Sequence, residues 1–389
     1  MAAARRRALS APSALPSHDT PVTSGADTAV LDADVEPRPA ADDVVRAAIE
    51  WHFGPETGSP YWLKRSRTLG FDPLCDVTTA EDLRLFPDVS EEWRRIDAAT
   101  LIPRGGPKNG GAEFEVFESG GTSGPPKRIV ERGSRLRAVR WVSSILERHG
   151  IPGRGGGQWL HIGPTGPHLV GRSVGHLARL RGSLCHHVDF DPRWVRRCLA
   201  EQRHDEVRRY VDHVVAQAAA VLETQPVTTL LATPPVLEAV AVRPRVLELF
   251  RQRVRGLLWS GTSISPESLR VLEEELFPDA AVVGLYGNTM MGIAPQRPRV
   301  AGDVEACVFQ PFHPFCLLEV VAPDHPETVV PYGHVGQVAF SLLTRDLFLP
   351  CCLERDGAVR VVPSDPFDWT GVARVAPLHA DTSVIEGVY

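Results

Sequence analysis

Residues 119–127 read Ser119-Gly120-Gly121-Thr122-Ser123-Gly124-Pro125-Pro126-Lys127, a run of glycines, hydroxyls and one lysine. Glycines let a backbone turn tightly and bring several N–H groups toward one anion. Hydroxyls donate to phosphate oxygens, and a lysine supplies a point charge. The run lacks the closing Gly-Lys-Ser/Thr of a Walker loop. Its composition alone therefore fits two interpretations, a polyphosphate-binding loop and a plain turn.

The residues on either side of this loop predict a β-hairpin. Residues 113–118 alternate in polarity, with Phe114 and Val116 on one face, and Ile129 and Val130 resume a strand after the loop. Alternation with a period of two is typical of a half-buried strand. We therefore expect the loop to connect two strands rather than to begin a helix.

Further along the chain, predicted strands alternate with predicted helices. Apolar strand patterns cover residues 228–232, 254–260 and 282–285, and residues 204–223 and 265–276 have helical periodicity. Such alternation predicts an α/β fold of layered sheets and helices. We divide the chain into a disordered tail at 1–40, an α/β core at 41–304 and a small β subdomain of the same core at 305–362.

Composition limits the classes of function. The chain has 389 residues, of which 43% are hydrophobic, and a formal net charge of -6, so it shows no basic signature of nucleic-acid binding. It contains no apolar run long enough for a transmembrane helix. Seven cysteines, scattered thinly, fit reduced thiols in the cytoplasm better than a disulfide framework.

Two more glycine-containing segments follow predicted buried strands. They are Ser260-Gly261-Thr262 and Tyr286-Gly287-Asn288-Thr289. Ligands of open α/β sheets lie at the carboxyl ends of the strands. A glycine there permits close approach of a flat base, and a tyrosine stacks on it. Ordinary turns also use glycine, asparagine and threonine, so each segment by itself has a plain structural interpretation.

The order and spacing of these three segments resemble the adenylate-forming superfamily of acyl-CoA synthetases, nonribosomal-peptide adenylation domains and luciferases. The resemblance covers residues 61–356 and implies a large adenylate-forming N-terminal domain. Residues 119–127 match the superfamily's phosphate loop, and Trp259–Thr262 lie where its adenine-contacting segment falls. Tyr286–Thr289 match the segment that contacts adenine and the α-phosphate, and Asp356 lies where the superfamily has the acid that holds the ribose hydroxyls. The nucleotide-binding residues so implied are Ser119, Gly120, Gly121, Thr122, Ser123, Gly124, Lys127, Ser260, Gly261, Thr262, Tyr286, Gly287, Asn288, Thr289 and Asp356.

The activity that the resemblance implies is ATP-dependent activation of a carboxylic acid. The acid's oxygen attacks the α-phosphorus, and the products are an acyl-adenylate and pyrophosphate, so the protein mainly positions groups and neutralises charge. Lys127 and the loop hydroxyls would hold the β- and γ-phosphates, and Thr289 would hold the α-phosphate. His168 is the third candidate catalytic residue, and Gly163, His168 and Pro234 are candidates for the acyl pocket. The alternative for His168 is a surface or helix-capping histidine.

Shorter motifs narrow the resemblance to one branch. Residues 61–103, 231–235 and 344–350 are similar to phenylacetate-CoA ligases. Residues 161–168 and 371–377 are similar to short proteins of phenazine-antibiotic biosynthesis that lack a full C-terminal lid. This narrower resemblance implies an aromatic acid, a role in secondary metabolism, and a separate acceptor enzyme such as a reductase or transferase.

The sequence departs from the superfamily in three places. The acid that binds Mg²⁺ is replaced by Met290, and a thioether is a poor ligand for a cation that demands oxygen. Mg²⁺ would then be held mainly by ATP and by the hydroxyl of Thr122 or Ser123. Residues 363–389 are expected to be only a stub of the C-terminal lid, and Cys351-Cys352 replace the usual Arg-Tyr.

Other classes of protein stay open. With Met290 and a truncated lid, the chain is alternatively a non-catalytic protein that binds a nucleotide or acyl group for a partner. Residues 171–175 fit the Gly-x-Ser-x-Gly elbow of serine hydrolases, although no oxyanion segment precedes them. A zinc site from Cys307, His313, Cys316 and Cys351-Cys352 fits no finger spacing.

Overall fold

The predicted hairpin is present. A computed structural model describes residues 27–34, 36–106, 113–121 and 124–378. Strands β1 (Glu115–Glu118) and β2 (Arg128–Glu131) pair antiparallel, with Glu118 opposite Arg128. In the turn between them, Gly121 has a φ of 68° and Gly124 a φ of 139°, values that side chains disfavour. Gly121 and Gly124 are therefore required by the backbone of the loop.

A mixed sheet forms the centre of the α/β part. Its strands are β3 (Gln158–Gly163), β4 (Cys185–Asp189), β5 (Val227–Ala232), β6 (Gly256–Ser260), β7 (Ala281–Asn288) and β8 (Gly292–Pro295). Their order is β4-β3-β5-β6-β7-β8, and all neighbours are parallel except β7 and β8. Parallel strands are covered on both faces, which explains why they read as apolar runs. The carboxyl ends of β3, β5, β6 and β7 consequently share one edge of the sheet.

Helices connect and flank these strands. Their bounds are α1 (Ala41–Phe53), α2 (Pro60–Arg65), α3 (Pro73–Asp76), α4 (Arg135–Arg148), α5 (Leu169–Leu180), α6 (Pro192–Ala200), α7 (His204–Thr224), α8 (Pro234–Ala241), α9 (Pro244–Arg253) and α10 (Pro266–Arg270). The predicted cap at Ser265 is confirmed, because its Oγ accepts a hydrogen bond from the Ser268 N–H at 3.0 Å. After α10, residues 271–276 continue as a π-helical turn. Among the described helices, none combines the length and apolar character that a membrane span requires.

An antiparallel sheet forms the second layer. Its strands are β9 (Val308–Phe309), β10 (Cys316–Ala322), β11 (His325–Val329), β12 (Val335–Leu343), β13 (Phe348–Val361) and β14 (Gly371–Pro377). Their order is β11-β10-β12-β13-β14-β9. The assignment of residues 363–389 to a lid stub is wrong for β14, because this strand joins β13 to β9 and buries Val372 and Ala373 completely. Residues 379–389 lie outside the described part of the chain.

The disordered tail predicted for residues 1–40 is also wrong in part. Residues 28–32 form a 3₁₀ turn capped by Asp27, and Leu31 is fully buried in the core. Arg345 Nη2 donates to the Thr28 carbonyl at 2.6 Å, and Arg137 Nη1 donates to the Ala33 carbonyl at 2.8 Å. These charged donors and the apolar contact of Leu31 fix the segment. Residues 1–26 and 35 lie outside the described residues.

The two sheets meet beside the end of β7. The Arg297 N–H donates to the Val308 carbonyl at 2.9 Å, and Gln296 forms an isolated bridge with Phe309. The Phe309 ring lies 6.1 Å from that of Trp259 and 6.0 Å from that of Tyr286, centroid to centroid. This junction brings the carboxyl end of β7 close to β13 of the second sheet.

Candidate active site

The glycine loop is closed by hydrogen bonds between its two ends. The Ser119 N–H donates to the Lys127 carbonyl at 2.9 Å, and the Lys127 N–H donates to Ser119 Oγ at 2.8 Å. The first hydroxyl of the loop therefore shapes the turn, which is a role that the sequence did not assign to it. Thr122 and Ser123, predicted to contact phosphate and a metal ion, lie outside the described residues.

Lys127 points toward the turn at Ser90–Arg94. Its Nζ donates to Ser90 Oγ at 2.7 Å and forms an ion pair with Glu91 Oε1 at 2.9 Å. The Lys127 side chain is 15% exposed, so it remains accessible from one side. Hydrogen bonding from Arg94 and the nearby Lys127 charge lower the pKa of Glu91 to about 2, against a smaller effect of burial. Glu91 is thus an anion that orients the lysine at the loop.

The carboxyl edge of the first sheet gathers the other predicted segments. Gly163 ends β3, Pro234 begins α8 just after β5, and Ser260 ends β6. Parallel register places Ser260 opposite Leu285, one residue before Tyr286. Gly261 and Thr262 follow directly. The predicted acyl-pocket and adenine residues therefore lie along one edge, as expected for a ligand site of such a sheet.

The end of β7 contacts both the second sheet and the loop. Tyr286 Oη donates to Asp356 Oδ2 at 3.3 Å, and Asn288 Nδ2 donates to Glu354 Oε1 at 2.7 Å. Thr289 Oγ1 donates to the Glu118 carbonyl at 3.1 Å, directly before the loop. One short segment thus joins the predicted ribose acid to the predicted phosphate loop.

Gly287 in this segment is required by a close approach. A Cβ at this position would lie 1.9 Å from the Gly292 carbonyl oxygen on β8. The β7–β8 pair closes tightly here, which fixes the directions of Tyr286 and Asn288 on either side. A glycine that sequence analysis assigned to nucleotide contact therefore has a demonstrable structural role.

Glu354 is a site residue that sequence analysis missed. Burial and the neighbouring charge of Asp356 raise its pKa to about 7, against the Asn288 hydrogen bond and the Lys127 charge. It lies two residues before Asp356 on β13, so both carboxyl groups lie on the same side of an extended strand. That spacing of two was the signal available in the sequence.

His168 lies beside the loop rather than on the open surface. It occupies the N-cap position of α5 but makes no side-chain capping bond there, so the helix-capping alternative is not supported. The carbonyl of the preceding Pro167 accepts from the Glu118 N–H at 2.9 Å. Burial and the neighbouring Arg193 charge lower the pKa of His168, which favours the neutral imidazole.

Arginines from α6 reach the loop, and sequence analysis did not identify them. Arg193 Nη1 forms an ion pair with Glu118 Oε2 at 2.9 Å, and its Nη2 donates to the Ser119 carbonyl at 3.0 Å. Arg196 Nη2 donates to the Gly120 carbonyl. Burial would raise the pKa of Glu118, but hydrogen bonds from Arg193 and Arg128 outweigh it and lower the pKa. Asp191 caps α6 by accepting from the Arg193 N–H at 2.8 Å, and so aims this face at the loop.

A protein-held Mg²⁺ does not fit the described residues. Met290 is 5% exposed, and its N–H donates to Asn288 Oδ1 at 2.8 Å. The side chain beside Thr289 is therefore a thioether, which is a poor ligand for a cation that demands oxygen. Across the described ranges, no group of three or more His, Cys, Asp or Glu side chains is placed to hold a metal ion. The zinc alternative is therefore unsupported too, and burial raises the pKa of both Cys307 and Cys316 to about 12.

The serine hydrolase alternative is wrong. α5 begins at Leu169, so Ser173 lies inside a helix, where it is buried, and not on a turn between a strand and a helix. A nucleophile elbow requires that sharp turn to expose the hydroxyl. Residues 171–175 match the motif by chance.

No protein-family model and no curated protein sequence matches the chain. Among solved structures, it is similar to 2-hydroxyisobutyryl-CoA ligase in an open conformation, in complex with 2-HIB-AMP and CoA. That match has a TM-score of 0.62 and 15% identity, and covers 88% of this chain and 76% of the other. The same ligase in its thioesterification state gives a TM-score of 0.59 at 15% identity, with 90% of this chain and 66% of the other covered. In its postadenylation state with 2-HIB-AMP, the TM-score is 0.59 at 16% identity, with 86% and 67% covered.

This similarity agrees with the layered arrangement derived from the sequence. At such low identity it establishes the fold, and the chain spans between two thirds and three quarters of the ligase's length. The α/β prediction is confirmed. The chain has the layered α/β fold of adenylate-forming acyl-CoA ligases.

Proposed function

We propose that this chain is a member of the adenylate-forming superfamily and activates a carboxylic acid as an acyl-adenylate, with ATP as substrate and pyrophosphate as product. The observation that carries the proposal is the junction at the end of β7. Tyr286 contacts Asp356, and Thr289 contacts the Glu118 carbonyl beside the loop. A nucleoside at the first contact would therefore extend its phosphates toward the second.

In this proposal the side chains mainly bind and orient. Lys127 and the loop N–H groups hold the β- and γ-phosphates, and the Thr289 hydroxyl turns from the Glu118 carbonyl to the α-phosphate. Asp356 accepts from the ribose hydroxyls, and Tyr286 stacks on the base. The carboxylate then attacks the α-phosphorus in line, so that the P–O bond to pyrophosphate breaks as the acyl-phosphate bond forms. No step is assigned to a protein-held Mg²⁺.

The acyl pocket is proposed at Gly163, His168 and Pro234. Gly163 and Pro234 lie along the edge that also holds Ser260, and His168 lies at the start of α5. A neutral His168 would donate one hydrogen bond without adding a charge to an apolar pocket. The motifs at 61–103, 231–235 and 344–350 support a phenylacetate-CoA ligase-like role. The motifs at 161–168 and 371–377 support an aromatic acid and antibiotic biosynthesis of the phenazine type. The acyl group would pass to an acceptor enzyme such as a reductase or transferase.

We also infer a cytoplasmic location. Each of the seven cysteines is a free thiol in the structure. Free thiols persist where the compartment is reducing.

The test is ATP–pyrophosphate exchange with a panel of aryl and aliphatic acids. The chain is expected to support exchange with at least one acid. Lys127→Ala should abolish it, because the substitution removes the cation at the loop. Lys64→Ala, which alters an exposed lysine on α2, should leave it unchanged. Absence of exchange with every acid would overturn the catalytic proposal.

A second candidate function is supported by Met290. With a thioether beside Thr289 and no carboxylate there, the chain would bind a nucleotide or an acyl group without turnover. The same experiment separates the two functions, because this candidate predicts ATP binding that depends on Lys127 together with no exchange.

A further inference from the structure

Three guanidinium groups hold backbone carbonyls of the glycine loop. Arg193 Nη2 donates to Ser119, Arg196 Nη2 donates to Gly120, and Arg94 Nη1 donates to Pro125. The first two come from one face of α6, and the third comes from the turn at Ser90–Arg94. The loop is thus held from both sides by charged donors that bond to its carbonyl oxygens.

These contacts determine the direction in which the carbonyl oxygens of the loop point. A carbonyl oxygen carries partial negative charge, so carbonyls that faced a bound phosphate would repel it. Charge-assisted hydrogen bonds to Ser119 and Gly120 fix those oxygens on the side of α6. An anion on the other side of the loop would then not meet these two oxygens, and the arginine charges add to the positive potential around it.

Among the described residues, two carboxylates pair with the cations around the loop. Glu118 is shared between Arg128 and Arg193, and Glu91 between Arg94 and Lys127. Each of these two carboxylates is thus shared by two cations, and Arg196 adds a fifth cation beside the loop. A triphosphate would place its negative charge beside these cations, and the described residues offer no donor set for a protein-held cation in its place.

We propose that Arg193 and Arg196 are positioning residues of a triphosphate site: they hold the carbonyls of Ser119 and Gly120 toward α6 and supply positive charge that a bound triphosphate requires. This inference rests on the proposed function for the identity of the loop's ligand. It extends that function by assigning part of the charge neutralisation to α6.

The chain offers a matched control on the same helix. Arg197 directly follows Arg196 but lies on the exposed side of α6, where its Nε pairs with Glu201 at 3.0 Å. Arg197→Ala removes the same charge from the same helix without touching the loop. Arg196→Lys keeps the charge and one donor, although it loses the planar fork.

The experiment measures the Kd of inorganic tripolyphosphate and of ATP for the full chain, with EDTA and with Mg²⁺, at two salt concentrations. Arg196→Ala should weaken tripolyphosphate binding about tenfold, and Arg196→Lys should restore it to within roughly threefold of the wild type. Arg197→Ala should bind like the wild type. The salt dependence of the Kd should become shallower in Arg196→Ala, because fewer charges contribute to binding. Loss of structure alone would not produce this shallower dependence together with rescue by Arg196→Lys.

Other outcomes separate this inference from the proposed function. If Lys127→Ala loses tripolyphosphate while Arg196→Ala matches the wild type, the arginine inference is overturned and the function stands. If binding depends on Arg196 but no acid supports pyrophosphate exchange, the arginine inference stands and adenylation is overturned. A wild-type chain that binds no tripolyphosphate would overturn both.

Discussion

Glu354→Gln should stabilise the protein relative to the wild type at alkaline pH, and should have little effect at acid pH. Glutamine keeps the oxygen that accepts from Asn288 Nδ2 at 2.7 Å and removes the ionisable proton. In the folded chain the pKa of Glu354 rises from 4.5 to about 7. The folded state of the wild type is therefore most stable when Glu354 is protonated, and its free energy of unfolding falls as pH rises from 4.5 through 7.

The size of the effect follows from that rise. One pKa unit corresponds to about 1.4 kcal/mol, so the rise sets a ceiling of about 3 kcal/mol. Part of the Glu354 surface remains exposed to solvent. Solvent screening therefore reduces the expected gain in the free energy of unfolding to about 1–2 kcal/mol. The variant should match the wild type at pH 4.5 and exceed it by that amount at pH 8.

Urea unfolding followed by tryptophan fluorescence at pH 4.5, 6, 7 and 8 measures the difference. Other groups with shifted pKa values, such as Glu131, are common to both proteins and cancel in the comparison. Glu223→Gln on the exposed side of α7 is the matched control and should give a difference that does not vary with pH. A Glu354→Gln difference that is constant from pH 4.5 to 8 would refute the reasoning.

Two further predictions concern the end of β7. Gly287→Ala should lower the free energy of unfolding by about 1–3 kcal/mol and weaken ATP binding, because its Cβ would meet the Gly292 carbonyl oxygen. Thermal unfolding and ATP titration measure both effects. Gly133→Ala is the control, because a Cβ there meets nothing closer than 3.8 Å. Equal losses in the two variants would contradict the argument. Met290→Glu should increase the Mg²⁺ dependence of pyrophosphate exchange, because it places a carboxylate beside Thr289. Met290→Gln adds no charge and should not do so, and identical Mg²⁺ titrations of the two variants would show that this position does not govern the metal.

The sequence predicted those parts of the fold that depend on local patterns. The alternation around residues 113–118 and the glycines after it predicted the β1–β2 hairpin, although the strand buries Phe117 and exposes Val116, opposite to the face expected. The apolar runs at 228–232 and 254–260 became the buried strands β5 and β6. Ser265 acts as the predicted cap because capping involves only residues close in sequence.

The errors came from contacts between residues distant in sequence. Residues 371–377 were assigned to a lid stub from the resemblance, whereas in the structure β14 pairs with β13 and with β9, which lies more than sixty residues earlier. Residues 28–32 were assigned to a tail because the arginines that hold them, Arg137 and Arg345, come from later elements. No local pattern reports such pairing, since tertiary contacts override propensity.

The site was predicted unevenly for the same reason. Tyr286, Thr289 and Asp356 were found from their order along the chain. Arg193 and Arg196 were missed because arginines spaced three apart on a helix usually mark a solvated face. Only the cap at Asp191 and the position of α6 beside the loop distinguish them from Arg197.

The position of β14 in the second sheet has a consequence for folding during synthesis. β9 joins that sheet through β14, and Asp356 on β13 is paired with Pro377 on β14. A nascent chain therefore exposes the unpaired edges of β9 and β13 until residues 371–377 have left the ribosome. The strand that carries the proposed ribose acid therefore keeps an open edge until β14 has emerged, and during that interval a chaperone would find that edge exposed.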